Sequence, residues 1–232
     1  MSTADHAKSL ATLLKKIRSA HELPELVKRP PLDELVFSIL LWEATVSKAE
    51  HALKRLNEAF VDHNDMRVSR PAELGTVIGK LYPRVEERCT RLHAVLSDIY
   101  RREHNVTLEP AMKLNKRDAA KYLETLSGIP AYSAARVQLV CLESHHMPVD
   151  DRMLSRLIAA GVVDEGSDVE RAMGILNRHV KHEDALDTYR LLQAWSEEPA
   201  ADHKPAPRRS EDSKKKVAPA KAGSKKVAAS RH

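Results

Sequence analysis

One stretch restricts this chain more than any other. Residues 115–152 read NKRDAAKYLETLSGIPAYSAARVQLVCLESHHMPVDDR. A helix runs into the turn Leu126-Ser127-Gly128-Ile129-Pro130, and a second helix follows that is apolar on nearly every side. Glycine accepts the left-handed backbone that a helix exit needs, and proline sets the first turn of the next helix. Ile129 between them is an apolar plug that would hold the two helices at a fixed angle. A short loop then ends in Pro148-Val149-Asp150, so the hairpin serves to aim Asp150.

The rest of the chain reads as helix. Long helix formers dominate, only seven glycines occur in 232 residues, aromatic residues make up 4%, and little of the sequence alternates with period two. An all-α class follows. Leu10, Leu13, Leu14 and Ile17 form one stripe of a helix over residues 4–19, and the prolines between Pro24 and Pro31 make a connector. Asp33 begins an apolar helix reaching Ala44, and residues 47–60 form an amphipathic one. His63-Asn64-Asp65 reads as a turn, and Pro71 starts a short helix to Ile78. From Pro83 a long helix is expected, with Val85, Cys89, Leu92, Leu96 and Ile99 inside and Glu86, Arg91, Asp98 and Arg101 solvated. Three more helices are expected near 150–160, 167–180 and 183–197, the second with Val169, Met173, Leu176 and Val180 as its core stripe.

The formal charge of +5 divides unevenly. Residues 201–232 carry ten basic and three acidic side chains, which leaves 28 basic and 30 acidic in residues 1–200. The body is therefore near neutral and the tail basic. From Pro199 onward the Ala, Lys, Pro and Ser composition predicts disorder, and its lysine cluster Lys214, Lys215 and Lys216 resembles the basic tails of nucleic-acid-binding proteins. No apolar run is long enough for a membrane span, and no signal-peptide core is present. Cys89 and Cys141 sit in apolar helical stretches, which favours buried thiols in a reducing cytoplasm over a disulfide.

A helix, a Leu-x-Gly-apolar turn, an apolar helix and then Val149-Asp150 roughly twenty residues on resembles the helix-hairpin-helix DNA glycosylases, the superfamily of endonuclease III and the adenine and thymine mismatch glycosylases. Ile39-Leu40-Leu41-Trp42-Glu43-Ala44-Thr45 looks like that superfamily's Leu-Leu-Ser-x-Gln-x-Thr segment, and the likeness covers residues 32–195. It implies a two-lobed fold. Residues 1–31 (helix and connector) would pack with the C-terminal lobe, 32–145 would carry the hairpin, 146–198 would complete the second lobe, and 199–232 would be the disordered basic tail. It also implies a monomer acting on double-stranded DNA in the groove between the lobes, DNA-associated in the cytoplasm. Asp150 matches the catalytic aspartate, whose carboxylate would stabilise oxocarbenium charge on the deoxyribose and position water. An aspartate there is also a good helix cap. Gly128, Ile129, Ala131, Tyr132 and Ser133 fall where exposed hairpin amides face a DNA phosphate.

Three departures qualify what the resemblance implies. Tyr132 stands where the bifunctional members place the lysine that forms a Schiff base, as in the archaeal type of thymine mismatch glycosylase, so base hydrolysis without lyase activity is expected. Tyr132 would line the base pocket, or simply pack at the helix start. Pro130 replaces a second glycine and removes one N–H, and Glu43 replaces the glutamine that fills the gap left by the extruded base. No cysteine follows Cys141, so the four-cysteine iron–sulfur site of endonuclease III is not expected, and no other cofactor is implied. His145 and His146 near Asp150 and Asp151, and His179 with His182, lack the spacing of a zinc motif, so no metal site is expected. A catalytically inactive helix-hairpin-helix DNA-binding module, or a helical interaction protein, remains the alternative to an enzyme.

Overall fold

Two helices buried on almost every side form the centre of the molecule. In the computed structural model, which describes residues 3–198, these are α2 (Pro31–Leu41) and α9 (Ala131–Cys141). Their mutual packing is the most extensive helix–helix contact among the described residues. In order, the other α-helices are α1 (Thr3–Ala20), α3 (Val46–Ala59), α4 (His63–Val68), α5 (Pro71–Ile78), α6 (Val85–Glu103), α7 (Glu109–Met112), α8 (Lys116–Glu124), α10 (Asp151–Ala159), α11 (Val169–His179) and α12 (Ala185–Glu197). A 3₁₀ turn at His182–Asp184 precedes α12. Among the described residues no strand occurs.

Packing divides the helices into two sets. α5 packs on α3 and α6, α2 packs on α3 and α6, and α4 lies against α6. α1 packs on α11 and α12, and α10 on the same two, so the first helix joins the last three. α12 also touches α9. The described residues belong to one compact unit. The tail from residue 199, including Lys214, Lys215 and Lys216, lies outside the described residues.

A buried polar chain runs through the centre. Glu34 of α2 pairs with Arg136 of α9, and both are almost wholly enclosed. Arg136 also donates from Nη1 to Ser38 Oγ (3.1 Å) and from Nε to the Tyr189 hydroxyl (2.9 Å), while Ser133 Oγ donates to Ser38 O (3.1 Å). Burying an arginine and a glutamate is tolerable only when the charges meet and the remaining donors find acceptors. Here three helices supply them.

Helix starts follow local chemistry. Thr45, Asp62, Asn115, Asp150 and Asp168 each accept a hydrogen bond from the third residue of the helix they precede, satisfying an N–H that has no partner in the helix. Proline occupies the first turn of α2 and α5.

Five local expectations are corrected. The apolar helix expected from Asp33 to Ala44 ends at Leu41, because Trp42 leaves helical geometry and Glu43 adopts φ +53°. His63-Asn64-Asp65 is not a turn but the first part of α4, capped by Asp62. The long helix begins at Val85, not Pro83, because Arg84 is left-handed at φ +51°. Asp98 is buried, not solvated: Oδ2 accepts the Ser127 N–H at 2.9 Å, and Arg101 and Arg102 pair with it. Burial pushes this carboxyl up, but the Ser127 amide and the two guanidinium groups outweigh it and hold Asp98 below its ordinary value. In α11 Leu176 and Val180 of the expected stripe are buried and Val169 and Met173 pack half-buried against the core, and the correction is the addition of the fully buried Ala172.

The early end of α2 is held by Arg88. This fully buried arginine of α6 donates to the carbonyls of Ile39, Leu40 and Trp42, which the helix end leaves without partners, and to Pro83 O at 3.2 Å. Leu40 O also accepts the Tyr82 hydroxyl at 2.7 Å, so Arg88→Met keeps volume but takes the side-chain donor from the Ile39 and Trp42 carbonyls. A loss of about 3 kcal/mol or more in unfolding free energy is expected by urea titration; a loss under about 1 kcal/mol, the size of an ordinary exposed hydrogen bond, would contradict this role for Arg88.

Candidate active site

The hairpin is seated on α6. Gly128 has φ +81°, and a Cβ built on it would stand 3.1 Å from Ala94 Cβ and 3.6 Å from Arg91 Cα. A larger residue would therefore meet both an unfavourable backbone and a neighbouring helix. Asp98 holds the Ser127 amide, and Arg91 Nη1 donates to Gly128 O at 3.3 Å. Of the residues expected to grip phosphate, Ala131 is exposed and Gly128 and Ile129 are half-buried. Ile129 N–H is already bonded to Leu126 O (3.2 Å), and the Ser133 side chain is fully buried with its hydroxyl on Ser38 O. The hairpin can thus offer its first-turn helix amides, but neither the Ile129 amide nor the Ser133 hydroxyl.

Asp150 and Glu43, 107 positions apart, meet. Asp150 caps α10, with Oδ1 accepting the Met153 N–H at 2.8 Å and Oδ2 accepting the Glu43 N–H at 2.9 Å. One carboxylate therefore starts a helix and fixes the turn that ends α2. Asp150 is 1% exposed. The Arg152 guanidinium stands with Nη2 4.0 Å from Asp150 Oδ2, and its Nε and Nη2 have no hydrogen-bond partner among the described residues.

Glu43 differs from the expected gap-filling group. Its side chain is 18% exposed, Oε1 accepts from Arg84 Nη1 at 2.9 Å, and it shares a hydrogen bond with Asp151. Beside it the half-buried Trp42 ring lies under three guanidinium groups, with Arg84, Arg91 and Arg88 at 4.8, 5.2 and 5.7 Å from its centroid.

Tyr132 does not line an open pocket. It is 1% exposed, and its hydroxyl meets that of Tyr189 at 2.7 Å and Gln193 Oε1 at 3.2 Å. Burial, the neighbouring Tyr189 and the charge of Asp150 push its phenol well above the ordinary value. A neutral hydroxyl thus stands behind Asp150. Of the two readings of Tyr132, packing at the helix start is the one seen, and the partners that enclose it lie on α12, nearly sixty residues away.

Sequence reasoning passed over two residues at this end of the molecule. Arg84 carried no signal, since its left-handed backbone and its pair with Glu43 are products of the fold. Leu81 did carry one. It is an apolar residue off every helical stripe, between Gly79 and Pro83, and it is 100% exposed.

No family model and no curated protein matches this chain by sequence. Solved structures do match. A trapped endonuclease III–DNA covalent intermediate superposes with a TM-score of 0.63 at 18% identity, covering 84% of this chain and 86% of that one. The Clostridium acetobutylicum 8-oxoguanine glycosylase/lyase gives 0.62 at 14%, covering 84% and 70%, and a thermostable thymine-DNA glycosylase gives 0.58 at 16%, covering 85% and 90%. The fold is that of the helix-hairpin-helix DNA glycosylases.

Within this glycosylase fold the acidic group at the α2–α3 turn has an unusual titration. Burial and the hydrogen bond to Asp151 push Glu43 up, Arg84 pulls it down, and the charges of Asp151 and Asp150 add to the rise, from 4.5 to about 7. The folded chain therefore holds this proton where the unfolded chain has lost it. The contribution to stability is complete below pH 4.5 and is lost as pH rises through about 7. Glu43→Gln is expected to narrow the fall in unfolding free energy between pH 5 and pH 8 relative to the unsubstituted protein. Identical profiles would show that Glu43 titrates normally.

Proposed function

We propose that the protein is a DNA N-glycosylase of base-excision repair that hydrolyses the base–sugar bond and has no lyase activity. The observation that carries this reading is the Asp150 carboxylate, aimed by two backbone amides at the N-terminus of α10 in a glycosylase fold. An aspartate here stabilises positive charge at C1′ as the C1′–N bond breaks and its electron pair leaves with the base. Water then adds to C1′, and its proton passes to the carboxylate. Because Asp150 is 1% exposed, the extruded nucleotide must displace the Arg152 side chain or the Trp42–Thr45 turn to reach it. The unbonded N–H groups of Arg152 suit a phosphate of that nucleotide.

Absence of lyase chemistry rests on Tyr132. Schiff-base formation needs an amine, and Tyr132 offers a protonated phenol enclosed by Tyr189 and Gln193. The proposed enzyme also works without an iron–sulfur cluster. Its two cysteines, on α6 and α9, are too few for four thiolate ligands, and burial pushes both thiols up to about 11. Leu81 is the proposed wedge, because apolar side chains inserted between base steps help to open a duplex. The basic tail would add salt-sensitive attachment to double-stranded DNA.

One observation favours a second reading, a DNA-binding module without catalysis. Both Asp150 oxygens are already bonded to backbone, and the acidic Glu43 stands beside them. The two readings separate in a panel of mismatched and damaged duplexes, with alkali cleavage revealing abasic sites. The enzyme reading predicts excision from at least one duplex and no borohydride-trapped covalent adduct. Absence of excision throughout removes it, and an adduct overturns the role given to Tyr132. Leu81→Ala is expected to slow excision at least about tenfold, through the lost unstacking contribution, while leaving the melting temperature unchanged. An unaltered rate would move the wedge elsewhere.

A further inference from the structure

A second cleft, lined by none of the residues around Asp150, gathers three cationic side chains and two carboxylates, and two of the cations make no ion pair among the described residues. Its volume is about 620 Å³, and its walls are α8, the Glu143–His146 loop and His182. Lys116, Arg117, Ala120, Lys121 and Glu124 fall on one face of α8, at the i, i+1, i+4, i+5 and i+8 positions. The small Ala120 leaves room between the three cations. Arg117 and Lys121 make no ion pair among the described residues.

The opposite wall is built rather than incidental. Glu143 is left-handed at φ +48°, and its carbonyl oxygen accepts from Lys116 Nζ and meets His182 Nε2, both at 3.1 Å. Ser144 N–H is bonded to Gln138 O at 3.0 Å and His146 N–H to Ser144 O at 2.9 Å, which fixes the loop. The His145 ring lies edge-on to His182, with centroids 6.0 Å apart. His145 Nε2 and His146 Nδ1 are both buried and both lack a hydrogen-bond partner. A buried ring nitrogen without a partner costs free energy unless something fills the site. Of the two carboxylates in the lining, Glu124 is engaged by the Gln138 amide at 3.0 Å. The histidines do not form a metal site: among the described residues no group of three or more His, Cys, Asp or Glu is placed to hold an ion.

We propose that this cleft binds a phosphate group, held by Lys116, Arg117 and Lys121 with imidazole N–H groups of His145 and His146 completing the shell. Phosphate suits the site because it presents several strong acceptors to ammonium, guanidinium and imidazole donors at once. The group could belong to a free phosphate or to the backbone of a DNA duplex, and the chemistry of recognition is the same for both.

The test uses the full chain in phosphate-free buffer and follows the histidine ring resonances by NMR. One arm adds inorganic phosphate, and the other adds an undamaged duplex. Saturable shifts of His145 and His146 with inorganic phosphate but not with duplex identify a free phosphate as the ligand. The same shifts with duplex, reversed by excess inorganic phosphate, identify a backbone phosphate. In either case the double variant Lys116→Met, Lys121→Met, which alters two exposed side chains, should weaken binding at least about tenfold through loss of charge-assisted hydrogen bonds. Resonances that move in neither arm, or shifts that persist undiminished in the double variant, overturn the proposal.

Discussion

Much of this structure depends on a carboxylate that bonds to two backbone amides from distant parts of the chain. Asp150 takes the Met153 N–H on one oxygen and the Glu43 N–H on the other. The first bond starts α10, and the second fixes the turn between α2 and α3. Arg88 acts on the same turn from the other side by capping the carbonyls at the end of α2. The left-handed Glu43 is therefore held on both flanks, and it presents Trp42, Arg84 and its own carboxyl together. Without either anchor the chain has no reason to leave the apolar helix at Leu41.

Behind the turn lies the chain of buried polar groups through Glu34, Arg136, Tyr189, Tyr132 and Gln193. Gln193 extends it to Glu197, whose carboxylate accepts the Val46 N–H at 2.9 Å at the start of α3. These hydrogen bonds and the Glu34–Arg136 pair tie α2, α9 and α12 to one another. Orientation of Asp150 depends on those positions, because α9 leads to the loop that carries it. The same network explains why Tyr132 is closed off from solvent: its hydroxyl completes an internal network.

Helices with one apolar stripe were legible because period 3.6 is written into residues such as Leu10, Leu13 and Ile17, or Cys89, Leu92 and Leu96, all of which are buried. The hairpin was legible because Gly128 and Pro130 punctuate it, and its glycine proves sterically necessary. What stayed hidden depended on partners far along the chain. Asp98 looked solvent-facing by helical position, yet its partner is the Ser127 amide of the hairpin turn. The helical end at Leu41 is set by Arg88, 47 positions on, and the enclosure of Tyr132 by Tyr189. Asp150 and Glu43 were singled out separately, as the carboxylate and the gap-filling position. Nothing in the sequence showed that the amide of one would bond to the side chain of the other.

Asparagine at position 150 is the most direct test of the account. It is nearly isosteric and a good helix cap, so one oxygen can keep the Met153 N–H and the hold on α10. The bond to the Glu43 N–H and the negative charge proposed to face C1′ are lost. An unchanged far-UV circular dichroism spectrum first shows that the fold persists. On a duplex that the unsubstituted protein excises, Asp150→Asn should lower the rate of base release at least about a hundredfold, the usual scale for removing a charge-stabilising group, with duplex affinity undiminished. Base release at an unchanged rate would contradict the assignment and place the chemistry on another residue.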